Sequence, residues 1–183
     1  MPMCSAQEAE ALMQGAEELY SQAEVEAALD RMAIEINDRL GDADPLLLSV
    51  MVGGLVTTGC LLPRLDFQLQ LDYLHASRYG SGNNGGELQW HAHSRKDLAG
   101  RKLLVVDDIL DEGITLAAII EACLQQGAAA IYSAVLLEKE RTRELDIKAD
   151  FVGLTVPDRF VFGYGLDCHG YGRNAAGIYA LPE

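Results

Sequence analysis

Residues 103–127 read LLVVDDILDEGITLAAIIEACLQQG, and their pattern indicates the fold class. It opens with a continuous apolar run, which is typical of a strand covered on both faces. After an acidic turn, an apolar segment predicts a helix over residues 116–127, closed by Gly127. The next apolar run, AAIYSAVLLEK at residues 129–139, predicts another strand. A strand, a helix and a strand of crossover length indicate neighbouring parallel strands in an α/β sheet.

The segments on either side extend this pattern. Residues 6–40 are rich in Ala, Glu and Leu at helical intervals and predict helix up to a break at Gly41. LLLSVMV at residues 46–52 predicts a buried strand that runs into the turn Gly53-Gly54 and a helix. Residues 67–74 predict a further strand, and the glycine-rich residues 77–87 predict a mobile loop. The last third, split by Pro157-Asp158, predicts a loop-rich cap over the sheet.

Composition limits the classes of function. With 183 residues, 49% of them apolar, the chain can bury the core of one domain. A formal charge of −14 without a basic stripe argues against a nucleic-acid partner. No apolar run approaches the roughly 20 residues that a membrane span requires. Four scattered cysteines and the absence of a signal-peptide pattern favour a reducing cytoplasm as the setting.

The acidic turn is the candidate functional motif. In open parallel sheets, ligands bind outside the carboxyl ends of the strands, where Asp107 and Asp108 are predicted to lie. Gly113 and Thr115 lead into a helix whose first amides would meet a phosphate together with the positive end of the helix dipole. Two carboxylates could hold vicinal ribose hydroxyls, while Asp111 reaches toward the anomeric carbon. The pattern favours a phosphorylated sugar, although such a string can also serve only as a turn and helix cap.

VVDDILDEGITL, residues 105–116, resembles the type I phosphoribosyltransferase signature, with Glu112 in the place of a threonine. From about residue 46 to the end, the order of motifs resembles the hypoxanthine-guanine phosphoribosyltransferases. The resemblance implies a mostly parallel twisted sheet flanked by helices, in a single domain over residues 1–183. It also implies a small hood subdomain formed by the N-terminal residues and roughly 155–183. The implied activity transfers 5-phosphoribosyl from phosphoribosyl pyrophosphate to hypoxanthine or guanine.

From its place in the turn, we expect Asp111 to accept the proton from purine N7. The resemblance implies that Lys139 donates to the exocyclic oxygen of the base. It assigns Phe160 to stacking on the purine and Val161 to backbone contacts with it. Tyr79, in the glycine-rich loop, would close over the reaction centre and exclude water. Without that context, an isolated lysine at a strand end is usually a solvated charge, and a phenylalanine is usually part of the core.

On the donor side, the resemblance implies that Arg173 contacts pyrophosphate and that Asp167, Asp107 and Asp108 hold magnesium ions. Mg²⁺ prefers oxygen ligands and would bridge the pyrophosphate and the ribose hydroxyls. The remaining substrate-binding positions implied by the resemblance are Asp107, Asp108, Glu112, Gly113, Ile114, Thr115, Val56 and Thr57.

The chain departs from the family pattern at three places. Val56 stands where relatives usually carry Arg or Lys beside a strained peptide, so pyrophosphate contacts there would come from the backbone. The sequence does not show whether the Leu55-Val56 peptide bond is cis. Arg78 precedes Tyr79 where Ser is common. We expect the Glu112 side chain to point away from the phosphate, because two negative charges repel.

Other functions remain to be weighed. The VVDD string also resembles the acidic pocket of a receiver domain, but about 100 residues precede it here, and a Rossmann site would require a GxGxxG motif that is missing. A phosphoribosyltransferase for xanthine or a pyrimidine, and a non-catalytic sensor of phosphoribosyl pyrophosphate or nucleotides, stay as alternatives. Because Lys139 only donates, we expect oxopurines to be preferred over adenine. An apolar N-terminal helix and the resemblance favour a homodimer or homotetramer.

Overall fold

The computed structural model describes residues 5–78 and 88–182. Tyr79 and residues 80–87 of the predicted loop lie outside the described residues. In chain order the elements are α1 (Ala6–Met13), β1 (Glu17–Tyr20), α2 (Gln22–Leu40), β2 (Leu46–Met51), α3 (Gly54–Leu61), a 3₁₀ turn (Leu62–Arg64), β3 (Gln70–Arg78), β4 (Leu88–Ala92), β5 (Lys102–Leu110), α4 (Ile114–Gln125), β6 (Ala130–Glu140), β7 (Phe151–Pro157), β8 (Val161–Phe162) and β9 (Ile178–Ala180).

The main sheet has the strand order β4-β3-β2-β5-β6-β7. Every neighbouring pair is parallel except β3 with β4. Leu103 pairs with Ile131 and Val106 with Ala134, so β5 and β6 are the parallel neighbours predicted from the sequence, with α4 as their crossover helix. The predicted α/β fold is confirmed.

Apolar layers cover both faces of this sheet. Successive β5 side chains point to opposite faces, so Leu104 and Val106 join one core and Leu103 and Val105 the other. Helices α2 and α3 cover the first face, and α4 covers the second through Ile119. None of the helices in the described ranges combines the length and apolarity of a membrane span.

The prediction of helix over residues 6–40 holds for α1 and α2 but is wrong for residues 14–21 between them. Gly15 adopts a left-handed φ of 80° after α1, and β1 then pairs antiparallel with β9. Helix α2 begins after Ser21, whose backbone N–H donates to the Glu24 carboxylate at 2.9 Å. The second sheet, in the order β1-β9-β8, joins an N-terminal strand to the C-terminal segment. We call it the hood sheet.

Two element boundaries near the site also differ from the predictions. Strand β5 continues past the acidic pair, because Ile109 and Leu110 still pair with Leu137 and Glu138 of β6. Asp107 and Asp108 therefore lie within the strand, and only residues 111–113 form the turn before α4. Strand β3 is displaced toward the C-terminus and occupies Gln70–Arg78 instead of residues 67–74.

Candidate active site

A cavity of about 350 Å³ opens at the carboxyl ends of β2, β3 and β5. Its volume is in the range of small-molecule sites. Nine of the residues singled out in the sequence line it: Asp107, Asp108, Asp111, Glu112, Gly113, Ile114, Thr115, Asp167 and Arg173. The first loop contributes Met51 and Gly53, and β3 contributes Ala76. The structure thus brings the acidic turn and the C-terminal Asp167–Arg173 pair to one place.

Two neighbouring carboxyl groups form one wall of the cavity. The backbone N–H of Asp108 donates to Oδ1 of Asp107 at 2.9 Å. Burial and the adjacent charge of Asp108 raise the pKa of Asp107 well above its usual range. Burial also raises the pKa of Asp108, while its hydrogen bond with Asp107 and the charge of Arg173 limit the rise. Burial disfavours the charged form of both carboxyl groups, so they suit a cation or the donor hydroxyls of a sugar.

The turn that follows β5 presents free backbone amides. Gly113 has a left-handed φ of 81°, and a Cβ there would lie 2.2 Å from Cγ2 of Ile147, so only glycine fits. No side chain caps α4, which begins at Ile114. The first N–H groups of this helix therefore have no capping side chain and could donate to an anion.

Asp111 lies at the centre of a four-charge cluster with Lys139, Arg141 and Asp158. Lys139 Nζ is 2.8 Å from Oδ2 of Asp111, and Arg141 Nη1 is 2.8 Å from its Oδ1. Asp158 Oδ1 lies 3.7 Å from the lysine and 3.5 Å from the arginine. Burial by itself would raise the pKa of Asp111, but the hydrogen bonds from both cations outweigh it and hold that pKa below its usual value. Asp111 is therefore an anion at neutral pH.

Arg143 ties the turn to the end of β6. Its Nε donates to the Asp111 carbonyl at 2.7 Å, and its Nη2 donates to the carbonyls of Leu110 at 3.1 Å and Lys139 at 2.8 Å. Its Nη1 contacts Glu138 Oε1 at 2.9 Å. One side chain thus sets the distance between the backbone of Asp111 and that of Lys139. Neither Arg143 nor Arg141 was singled out in the sequence; the signal was the basic run that follows Lys139.

Asp167 and Arg173 form an ion pair on the cavity wall. Arg173 Nη2 lies 2.5 Å from Asp167 Oδ1, and its Nη1 donates to the Gly165 carbonyl at 2.6 Å. The other Asp167 oxygen accepts the N–H of Gly170 at 2.7 Å. Both residues are therefore held in defined orientations, with the charge of Arg173 acting on Asp108 across the cavity.

Phe160 and Val161, which were expected to contact the base, lie at strand β8 of the hood sheet. Phe160 precedes β8 and is 50% exposed, with its ring 6.4 Å from that of His169 and nearly parallel to it. Val161 is buried in β8 and pairs with Ala180 of the hood sheet. Neither lines the cavity, but Asp158, two residues before Phe160, connects this segment to Lys139.

The structure does not bring Val56 and Thr57 to the cavity. Both lie inside α3, where Thr57 is fully buried and Val56 packs against the core. The cis peptide is Met51-Val52, four residues before the bond left open in the sequence. A Cβ at Gly53 would lie 1.9 Å from Oδ2 of Asp108, so the backbone of the first loop approaches the acidic pair directly. The glycine pair that follows β2 was the signal for this approach.

Metal binding can be judged from the donor atoms. Within residues 5–78 and 88–182, no group of three or more His, Cys, Asp or Glu side chains is arranged to hold a metal ion. The cavity carboxylates offer oxygen ligands only, and burial disfavours the negative charge on Asp107 and Asp108. This set suits Mg²⁺ that takes its other ligands from substrate oxygens and water.

Comparisons with known proteins agree with this geometry. The phosphoribosyl transferase domain family matches residues 15–169. The hypoxanthine-guanine phosphoribosyltransferase of Bacillus subtilis is 35% identical over 150 residues, which cover 81% of this chain and 83% of that protein. The hypoxanthine-guanine-xanthine phosphoribosyltransferase of Tritrichomonas foetus is 30% identical over 166 residues, covering 90% and 91%.

Solved structures show the same likeness. A hypoxanthine phosphoribosyltransferase from Staphylococcus aureus superposes with a TM-score of 0.86 at 27% identity, covering 91% of each chain. A variant of the Trypanosoma cruzi hypoxanthine phosphoribosyltransferase, solved with the product IMP, superposes with a TM-score of 0.85 at 26% identity, covering 92% of this chain and 93% of that one. With its acidic turn, its fold and these relatives taken together, the chain belongs to the phosphoribosyltransferase family.

Proposed function

We propose that this protein transfers 5-phosphoribosyl from phosphoribosyl pyrophosphate to hypoxanthine or guanine, giving IMP or GMP and pyrophosphate. One observation carries the proposal. A single cavity holds the acidic pair, free helix amides and an arginine for a sugar phosphate, and its rim joins Asp111 to a lysine suited to an oxopurine. The relatives described above carry names for this activity, which supports the same conclusion.

The donor would be held by groups that differ in chemistry along its length. The amides of residues 113–115 would receive the 5-phosphate at the N-terminus of α4. Asp107 and Asp108 would accept hydrogen bonds from the ribose hydroxyls, and these bonds would relieve part of the cost of burying both carboxylates. Arg173 would meet the pyrophosphate, which leaves as the anomeric carbon gains oxocarbenium character.

Magnesium fits the carboxylates of this cavity. Asp167, together with Asp107 and Asp108, would hold it, since these residues supply oxygen ligands at the cavity wall. Bound there, magnesium supplies neutralising charge for the departing pyrophosphate. Arg173 and the Gly170 amide already orient the Asp167 carboxylate, so its direction is set before any ligand enters.

The base would react beside the four-charge cluster. Its N9 forms the new bond to the anomeric carbon while the bond to pyrophosphate breaks, and the proton on N7 passes to the Asp111 carboxylate. Because the pKa of Asp111 is held low, this carboxylate is ionised and also stabilises positive charge that develops on the sugar. Lys139 would donate to the oxygen at position 6, and Phe160 would stack on the ring. A lysine offers donors only, which disfavours the amino group of adenine.

A base panel tests the proposal. The protein is incubated with phosphoribosyl pyrophosphate, Mg²⁺ and hypoxanthine, guanine, xanthine, adenine or uracil, and nucleotide and pyrophosphate are measured. We expect turnover with hypoxanthine and guanine at a kcat/KM well above that for adenine. Comparable efficiency with adenine, or turnover only with xanthine or uracil, would overturn the substrate assignment. Tight donor binding without turnover of any base would establish the sensor instead.

We further propose a cytoplasmic homodimer or homotetramer with no nucleic-acid or membrane partner. Exposed apolar side chains, among them Val52, Leu55, Leu71 and Tyr73, provide surface that a second subunit could cover. The net charge of −14 disfavours nucleic acid. Light scattering coupled to gel filtration would give the mass; a monomer at micromolar concentration would contradict the assembly.

A further inference from the structure

The cluster around Asp111 contains a cation for which the proposed function has no role. Lys139 and Arg141 both bind the Asp111 carboxylate, but they bind different oxygens of it. The proposed function requires the lysine to donate to the purine oxygen. The Asp111 side chain is only 39% exposed, so leaving its charge without a partner would carry an electrostatic cost.

Resting on the proposed function, we propose that Arg141 is a positioning residue. It holds the Asp111 carboxylate in place when Lys139 leaves that carboxylate to contact the base. The arginine is placed for this because it contacts Oδ1 and leaves the lysine's oxygen, Oδ2, free to receive the N7 proton. Its guanidinium is also held by Asp158, 3.5 Å away, so it stays in place during the exchange.

The other charged groups around Asp111 do not supply this function. Arg143 binds the Asp111 backbone carbonyl and not its carboxylate. Glu112 and Asp158 are anions, and their charges raise the pKa of the Arg141 guanidinium together with Asp111. Arg141 Nε is buried without a hydrogen-bond partner, so its terminal nitrogens make the polar contacts that orient it. Among the described side chains, Arg141 is therefore the group that can replace the lysine.

Loss of Arg141 should change kcat and the KM for hypoxanthine but not the KM for phosphoribosyl pyrophosphate. Asp111 would bind Lys139 more tightly, so the KM for hypoxanthine should rise. The carboxylate would also be less well oriented, so kcat should fall, and each effect should be roughly 5–30-fold. The KM for phosphoribosyl pyrophosphate should stay within about twofold, because Arg143 and Gly113 still hold the turn that binds the donor phosphate.

The test compares Arg141→Gln, Arg141→Lys and the control Arg31→Gln. Arg31 lies on α2, contacts the Gly153 carbonyl and matches the change in net charge, so its variant should behave as wild type. Arg141→Lys should recover part of the lost activity. In an Asp111→Asn background, Arg141→Gln should change kcat by less than about twofold, because a residue that acts through the carboxylate has nothing left to hold.

The outcomes are distinguishable. A rise in donor KM equal to that of the base, or an undiminished effect of Arg141→Gln in the Asp111→Asn background, would show that Arg141 supports the turn only and would overturn the inference. An Arg141→Gln variant with wild-type kinetics would do the same. A wild-type protein without transferase activity would overturn the proposed function first. A double-mutant cycle of Arg141 and Asp111, measured on the free energy of unfolding, does not require activity. Additive effects of the two substitutions would show that the ion pair does not form in solution.

Discussion

Gly54, the first residue of α3, should not tolerate even a methyl group. A Cβ there would lie 2.6 Å from the Val106 carbonyl oxygen and 3.1 Å from Cα of Asp107, both backbone atoms of β5. Since carbon atoms pack at about 3.5–4.0 Å, α3 would have to move roughly half an ångström or more from β5. Overpacking of this kind costs about 1–3 kcal/mol, of which the better helix propensity of alanine offsets up to about 1 kcal/mol.

Gly54→Ala should therefore lower the free energy of unfolding by about 1–2 kcal/mol, which is a drop in Tm of roughly 2–8 °C for a chain of this size. The displacement also reaches Gly53, whose backbone touches the Asp108 carboxylate. Donor binding should weaken, and kcat/KM should fall by roughly 10–100-fold.

Gly59 is the matched control, because it lies in the same helix, is exposed, and a Cβ added there would have no atom within 4 Å. Gly59→Ala should raise stability by about 0.5–1 kcal/mol and leave the kinetics unchanged. Calorimetric unfolding and steady-state kinetics on both variants form the assay. If Gly54→Ala unfolds at the wild-type temperature with wild-type kinetics, the close approach of α3 to the acidic pair is refuted.

The remaining predictions concern the charged residues of the site. Asp111→Asn should lower kcat by roughly 10²–10⁴-fold, and unchanged turnover would remove Asp111 from the reaction. Lys139→Gln should raise the KM for hypoxanthine and reduce the preference over adenine, by roughly tenfold or more, in the base panel; an unaltered preference would contradict its role. Asp107→Asn should stabilise the ligand-free protein at neutral pH while weakening donor binding. The sign follows from the raised pKa of Asp107, since a carboxyl with a raised folded-state pKa loses stabilisation as pH rises through that value. Denaturant unfolding at pH 5 and pH 8 should show the variant's advantage growing with pH, and a constant difference would count against it.

The central sheet could be predicted because its strands are buried on both faces and carry continuous apolar runs. Residues 103–139 also contain their own crossover helix, so parallel pairing follows from local pattern alone. Strand β1 could not be predicted in this way. Its four residues, EELY, have no distinctive alternation, and they become a strand only because β9, at the other end of the chain, supplies the hydrogen-bond partners.

The residues of the site also differ in whether local sequence could predict them. The acidic turn was predictable because all its groups lie within nine residues of sequence, and the structure brings them to one cavity. Arg141 and Arg143 were not, because their contacts with Asp111 arise from the register between β5 and β6. The turn at Gly53-Gly54 was predicted, but the cis peptide lies four residues before the bond that the sequence left open. The residue types in GGLVTTG do not reveal which peptide bond is cis.

A crystal structure of the protein with IMP and Mg²⁺ would show whether the acidic turn at residues 111–113 binds a nucleotide. We predict that the amides of residues 113–115 donate to the 5′-phosphate, that the Asp111 carboxyl group faces the N7 side of the purine, and that Lys139 has moved to the purine oxygen. A nucleotide bound away from the acidic turn, or a purine whose N7 faces no group of Asp111, would refute this binding mode.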